Sequence, residues 1–156
     1  MSCVRVKIYV LSMTFAAEFV CSKTELAGVC QLIQMAGSDP AVVTLLDSLN
    51  NDGFTFFVPN NEAVQNLEGI DLSDVNSIIN VLDYHTVLND QIFAKDLVCD
   101  TEVTMKNGQT TTTVCEGESF FQVGGGNTEE LPQIVEADLL TCNGVVHIVD
   151  KIIKPG

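Results

Sequence analysis

The sequence predicts an α+β domain in which helices come first and most strands follow. Apolar residues recur at helical spacing from Lys23 to about Asn51 and again from Ser73, whereas strand-like patterns dominate beyond Asn89. Helices followed by a run of strands are typical of α+β folds rather than of alternating α/β folds. A chain of 156 residues is long enough to bury one sizeable core, so a single domain is the simplest organisation.

The N-terminal 22 residues have the layout of a secretory signal peptide. Two basic residues precede the apolar stretch "IYVLSMTFAAEFV", and small residues lead up to a cleavage site after Ser22. The sequence therefore predicts a signal peptide over residues 1–22, a mature domain over residues 23–156 and a secreted, extracellular product. Because Glu18 interrupts the apolar stretch, an ordered helix or strand of the domain is the alternative interpretation. The stretch is too short to span a bilayer well and no second one follows, so we expect no membrane span.

The helical region is divided by "GSDP", in which Asp39 is a suitable N-cap and Pro40 suits the first position of a helix. "FTFFVP" then predicts a strand over residues 54–59 that is too apolar to have a solvated face. "NNEAVQNL" follows as a short helix, with Asn60 or Asn61 as its cap.

The helix predicted from Ser73 carries a tyrosine and a histidine near its end. His85 lies seven residues after Ile78 on the same apolar stripe, so we expect its ring to point inward. Tyr84 lies about 100° away around the helix axis, which predicts a packed ring with its hydroxyl near the rim.

Strands are predicted through most of the chain beyond Asn89. "TEVTMKNGQTTTTVC" contains two strand-like runs around Asn107 and Gly108, a dipeptide that two-residue hairpin turns favour because both positions need a positive φ. "SFFQVGGGN", "QIVEADLL" and "GVVHIVDKII" predict three further strands. The glycines at 124–126 are interpreted as the mobile tip of a hairpin.

The cysteines predict two disulfide bonds. Removal of residues 1–22 leaves four of them, and an even number in an exported chain is typical of a disulfide framework. A two-residue turn pairs positions whose numbers add to 215, and Cys99 and Cys115 add to 214, so a bulge or a longer loop would bring them together. By elimination, Cys30 would then pair with Cys142. Buried free thiols are the alternative.

The charge of the chain argues against several classes of partner. The net charge is −14, from 21 acidic and 7 basic residues, so nucleic acids and anionic membrane surfaces would be repelled. No zinc-binding spacing, EF-hand loop, HExxH motif or GxSxG motif is present, and the chain has only two histidines. We therefore predict no metal, no cofactor and no enzymatic activity.

Three stretches resemble the conserved parts of one family when they are taken in order. "FTFFVPNNEAV" (54–64), "LDYHTVL" (82–88) and "NGVVHIVDKIIKP" (143–155) are similar to the two homology boxes and the intervening Tyr-His motif of fasciclin-type FAS1 domains. The resemblance covers about residues 23–156. It implies a compact wedge of mostly antiparallel β-strands flanked by several α-helices, in a domain of secreted and surface adhesion proteins.

The resemblance also suggests which residues matter. Tyr84 and His85 match the family's Tyr-His pair, which is linked to adhesion, and Asn60 and Asn61 join them as candidate interaction residues. The residues that match the second box and are expected to be structural are Asn143, Gly144, His147 and Asp150.

Burial can be predicted for some of these residues. His147 lies between Val145 and Val149 on one face of a strand, which favours a structural role for its ring. We expect both histidines to be mostly buried. The residues expected to be accessible are Asn60, Asn61, Tyr84 and the loop Gly124–Glu130.

The function that the resemblance implies is a secreted interaction or cell-adhesion module that binds matrix or cell-surface components, either protein or glycan. Family members often occur in tandem, whereas one copy is found here, so bridging two surfaces would require a second binding face or self-association into a homo-oligomer. One alternative is a carrier of a small apolar ligand in a pocket between helices and sheet. Another is a matrix protein whose acidic surface gathers Ca²⁺ weakly.

Overall fold

The computed structural model describes residues 15–51, 53–141 and 143–156, which form two β-sheets with a group of helices packed on the larger sheet. The helices are α1 (Phe15–Ser22), α2 (Ala27–Ala36), α3 (Pro40–Asn51), α4 (Asn61–Gln65) and α5 (Val75–Tyr84). The strands are β1 (Phe54–Pro59), β2 (Thr86–Leu88), β3 (Thr101–Thr104), β4 (Thr110–Glu116), β5 (Ser119–Gly124), β6 (Ile134–Leu140) and β7 (Gly144–Val149). The predicted α+β class is confirmed.

The larger sheet has the strand order β2-β1-β7-β6. Its two central strands, β1 and β7, run parallel, whereas β2 and β6 are antiparallel to their neighbours. All six residues of β1 and all six of β7 are buried, as expected for parallel strands covered on both faces. A Cβ atom at Gly144 would overlap the ring of Phe54 on the neighbouring strand, so the two strands can approach closely only with glycine at this position.

The core has two parts, one on each face of the central strands. Phe56 and Val58 of β1 face the helices and pack in the larger cluster with residues of α1, α2, α3 and α5. Phe57 points to the other face and packs with Tyr84 and Ile153. This alternation follows the two-residue period of a strand and explains why "FTFFVP" has no polar face.

The helix starts agree with the capping signals in the sequence. The Asp39 carboxylate accepts a hydrogen bond from the Ala41 N–H at 2.8 Å, and α3 begins at Pro40 as predicted. Asp74 caps α5, which begins at Val75. Strand β2 was not predicted. The Thr86 hydroxyl donates to the Leu82 carbonyl at 2.8 Å, a contact typical of a helix, although α5 has already ended.

The smaller sheet has the order β3-β4-β5, and β3 and β4 form the predicted hairpin. The turn differs from the prediction. Gly108 has a φ of 85° and donates its N–H to the Met105 carbonyl at 2.9 Å, while Asn107 is not among the described residues with positive φ. The loop therefore has three residues with a glycine bulge rather than two.

The longer loop sets a register in which Thr101 lies opposite Thr113, so paired positions add to 214. Cys99 and Cys115 continue this register, and they form the expected disulfide bond with a Cα–Cα distance of 5.6 Å. The predicted Cys30–Cys142 bond is wrong for Cys30, which is bonded to Cys21 with a Cα–Cα distance of 5.0 Å. Cys142 lies outside the described residues.

Helix α1 and its disulfide occupy the end of the predicted signal peptide. Ala16, Ala17 and Val20 are buried in the larger core cluster, and the Cys21–Cys30 bond joins α1 to α2. The described part of the predicted signal peptide is therefore a helix with a packed apolar face. The cleavage site predicted after Ser22 lies at the end of α1, between the two cysteines of this bond, and cleavage there stays a prediction; residues 1–14 lie outside the description.

Candidate functional site

The two candidate asparagines at the start of α4 are both used within the domain. The Asn60 side chain accepts a hydrogen bond from the Ala63 N–H at 2.9 Å and so caps the helix. Asn61 accepts from the Gly28 N–H and donates to the Thr24 carbonyl, both at 2.8 Å. Because each side chain is half-buried and already bonded, these residues position α4 against the start of α2.

Tyr84 is not accessible, contrary to expectation. It is 1% exposed, and its hydroxyl donates to the Thr110 carbonyl of β4 at 2.8 Å. Burial raises the pKa of the phenol. Its ring therefore joins the end of α5 to the smaller sheet, and a partner could reach it only by displacing neighbouring residues.

His85 is 1% exposed, as predicted, and both of its ring nitrogens have backbone partners. Nδ1 lies 2.7 Å from the Val81 carbonyl oxygen, and Nε2 accepts a hydrogen bond from the Ile153 N–H at 3.0 Å. One nitrogen must donate and the other accept, which assigns a neutral ring with its proton on Nδ1. Burial lowers the pKa of His85 to about 4, which keeps the ring neutral at physiological pH.

His147 follows the same scheme in the centre of β7, where it is fully buried. Nε2 lies 2.6 Å from the Ile92 carbonyl oxygen, and Nδ1 accepts from the Asp138 N–H at 3.2 Å. These contacts assign a neutral ring with its proton on Nε2. Burial lowers the pKa of this imidazole, and the ring stacks on Phe57 with their centroids 5.4 Å apart.

The two histidines therefore connect segments that are distant in the sequence. His85 joins the end of α5 to the C-terminal segment, and His147 joins β7 to the loop at Ile92 and to a bulge in β6. Each ring uses its one donor and its one acceptor on backbone groups. In this arrangement neither ring has a nitrogen left to take a proton from a substrate.

The remaining residues of the second homology box also make structural contacts. Asp150 accepts a hydrogen bond from the Gln133 N–H at 2.8 Å and returns one from its own N–H at 3.0 Å, which fixes the end of β7 against the start of β6. The Asn143 carbonyl accepts from the Gln91 side chain at 2.8 Å.

Only part of the Gly124–Glu130 loop is accessible. Gly124 and Asn127 are buried, whereas Gly125 and the three residues 128–130 are exposed. The glycines are not a projecting tip, because a Cβ atom at Gly124 would overlap the Lys154 carbonyl and one at Gly126 would overlap the Pro155 carbonyl. The loop thus lies directly against the C-terminal segment.

The side chain of Asn127 bonds this loop to the C-terminal segment, a role that the sequence analysis did not predict. Its side-chain oxygen accepts from the N–H groups of Gly124 and Lys154, and its amide group donates to the Ile152 carbonyl at 3.0 Å. An asparagine after three glycines is an ordinary turn signal, so nothing local indicates contacts 25 residues away.

An exposed apolar surface lies on β6, the edge strand of the larger sheet. We define this β6 surface by its exposed residues Val135, Glu136, Ala137, Asp138 and Leu140. Val135 is 51% exposed and Leu140 is 68% exposed, among the largest values for apolar side chains in the described chain. No further strand pairs with β6 in the described sheet. Bulges interrupt its pairing with β7 at two places, and Asp138 has a φ of 60°.

The described part of the chain offers neither a metal-binding cluster nor a membrane-spanning helix. No group of three or more His, Cys, Asp or Glu side chains is placed there to hold a metal ion. Among these same residues, every helix is too short or too polar to cross a bilayer.

Comparison with known proteins identifies the fold and the family. The family model described as Fasciclin domain matches residues 32–155. Human periostin is 28% identical over 117 residues, which are 71% of this chain and 13% of periostin. A solved FAS1 domain pair from the insect cell adhesion molecule fasciclin I matches with a TM-score of 0.61 and 21% identity, over 81% of this chain and 45% of the solved chain. The chain thus spans less than half of each of these proteins. Because the family model covers well over half of its length, the chain belongs to the Fasciclin (FAS1) domain family.

Proposed function

We propose that this chain is an extracellular interaction module that binds a matrix or cell-surface protein through the β6 surface. The observation that supports the proposal is the exposure of Val135 and Leu140 on the open edge of the larger sheet. An open strand edge offers backbone groups for pairing with another chain, and exposed apolar side chains on that strand add contact area. The relatives support the same class of function, since fasciclin I is named as a cell adhesion molecule.

The charge of the chain indicates the chemistry of the partner. The net charge is −14, and Glu136 and Asp138 lie between the exposed apolar residues of β6. A partner with basic groups around an apolar patch would complement this surface, whereas sulfated or other acidic glycans would be repelled. We therefore favour a basic protein over a glycan.

The two histidines support a binding role rather than a catalytic one, because both are buried, neutral and bonded at both nitrogens. The two described disulfides are consistent with an oxidising extracellular compartment. Neither Tyr84 nor Asn61 needs to touch the partner in this proposal, since both are occupied within the domain.

The proposal can be tested by presenting the labelled chain, with its disulfides formed, to an array of matrix and cell-surface proteins and glycans at low and high salt. We expect saturable binding to basic proteins, with weaker binding at high salt because screening reduces the attraction between charges. A double variant, Val135→Ser with Leu140→Ser, should lose this binding while its thermal stability stays close to that of the wild type.

A matched control is Met35→Ser on α2, which removes an apolar side chain that is 58% exposed but lies on a helix. This variant should bind like the wild type. Binding confined to acidic glycans would contradict the charge argument. Equal binding by the wild type and the β6 double variant would exclude the β6 surface as the site.

A further inference from the structure

A groove of about 300 Å³ lies between α5, the turn at residues 68–70 and the C-terminal segment 152–155. Its α5 wall is formed by residues at helical spacing on one face: Ser77, Asn80, Val81 and Tyr84. Small-molecule sites in proteins have volumes of about 300–1,000 Å³, so this groove would suit a small ligand. It lies on α5 and does not include any residue of the β6 surface.

The lining of the groove is apolar at its base. Ile152 and Ile153 are buried, Tyr84 is 1% exposed, and Ile70 and Val81 are half-buried. The Tyr84 hydroxyl already donates to a backbone carbonyl and is therefore not a free donor for a ligand. The base thus offers contact area to a hydrocarbon group and little hydrogen bonding.

Lys154 is the basic residue among those that line the groove. Four other lysines are described, and each has its ammonium 3.1–3.8 Å from a carboxylate oxygen: Lys23, Lys95, Lys106 and Lys151. Lys154 is half-buried. Among the residues that the structure describes, no carboxylate forms an ion pair with it. Because Lys154 lines the groove without a carboxylate partner, an anionic ligand would complement its charge.

We propose that this groove binds a small amphipathic monocarboxylate, with its hydrocarbon tail on the apolar base and its carboxylate at Lys154. A single negative charge is favoured because one lysine neutralises one charge and the net charge of −14 repels anions of higher charge. Glu68 also lines the groove but is exposed, so its carboxylate is hydrated and would attract a cationic amphiphile only weakly.

Three probes with the same tail separate the effect of the head group: octanoate, octan-1-ol and octylamine. Each is titrated into the ¹⁵N-labelled chain, and amide chemical shifts are followed. We expect saturable shifts confined to residues around the groove, with octanoate binding about tenfold more tightly than octan-1-ol. Octylamine should bind no more tightly than the alcohol.

Variants test the assigned residues. Lys154→Met should weaken octanoate binding about tenfold and leave octan-1-ol binding unchanged, since the backbone N–H of Lys154 still bonds to Asn127. Lys95→Met, which removes a charge from a lysine that does not line the groove, is the matched control and should bind octanoate like the wild type. Val81→Trp should block all three probes by filling the groove, and its thermal melt reports whether it folds.

Several outcomes would overturn the proposal. Octanoate and octan-1-ol binding with equal affinity would remove the role of the carboxylate, and an unchanged affinity in Lys154→Met would remove the role of the lysine. Shifts that do not saturate or that spread over the surface would show that the groove is not a ligand site. None of these outcomes bears on the β6 surface, which shares no residue with the groove.

Discussion

The neutral state of His85 predicts that mild acid destabilises this domain. The pKa of His85 is about 4 in the folded protein, against 6.5 for an unperturbed histidine. Between these values the unfolded chain binds a proton that the folded chain does not, so the free energy of unfolding falls as the pH falls. From these two pKa values the loss relative to pH 7.5 is about 2 kcal/mol at pH 5 and about 3 kcal/mol at pH 4.

The assay is chemical denaturation followed by circular dichroism at pH 7.5 and pH 5, on the wild type and on His85→Gln. The variant should be less stable at pH 7.5, because a glutamine cannot reproduce both ring contacts, with Val81 and with Ile153. It should also lose about 2 kcal/mol less between the two pH values, since it has no imidazole to protonate. His147 contributes in the same direction, because burial lowers its pKa too. Equal pH dependence in the wild type and the variant would refute this account of His85.

Three further predictions concern residues that hold the domain together. The double variant Cys21→Ser with Cys30→Ser should lower the free energy of unfolding by about 2–3 kcal/mol in denaturation experiments, given the short loop that this bond closes. An exported chain that begins after Cys21 and is as stable as the chain with this bond would contradict the prediction. Gly144→Ala should lower the free energy of unfolding by about 1–3 kcal/mol, because the new methyl group would overlap the Phe54 ring. An unchanged melting temperature would show that the two strands can move apart to accommodate the methyl group. Asn127→Ala should lower the free energy of unfolding by about 2–4 kcal/mol, because it leaves several buried backbone groups without partners. Amide hydrogen exchange in the C-terminal segment should become faster. If exchange there stays slow, the asparagine is not what fixes that segment.

The parts of the fold that sequence could predict are those with a local signal. Strongly apolar, β-branched or aromatic runs predicted β1 and β7, and the capping residue Asp39 predicted the start of α3. The hairpin around Gly108 also had a local signal. The disulfide bond of Cys99 was expected if the loop of this hairpin was longer than two residues, and the loop has three. The burial of both histidines could be predicted because each one continues an apolar pattern of its own element.

Two of the errors concern contacts made by distant parts of the chain, and a third concerns the Cys21–Cys30 bond. The tyrosine at the end of α5 was expected to be accessible because it lies away from the apolar stripe of its own helix, but its hydroxyl bonds to β4 and lies against Gly124 at the end of β5. The pairing of Cys21 with Cys30 was missed because Cys21 falls within the predicted signal peptide and was left out of the pairing. Asn127 has no local signal for its role, since its partners lie in the last residues of the chain.

The position of β7 in the larger sheet has a consequence for how the protein is made. This strand lies between β1 and β6, so the sheet stays incomplete until a segment near the end of the chain is available. During synthesis, about 90 residues must be added after β1 before its parallel partner β7 leaves the ribosome. Until then the edge of β1 that pairs with β7 is uncovered. Contacts so far apart in the sequence also slow folding. We therefore expect the larger sheet to be completed only after β7 has emerged.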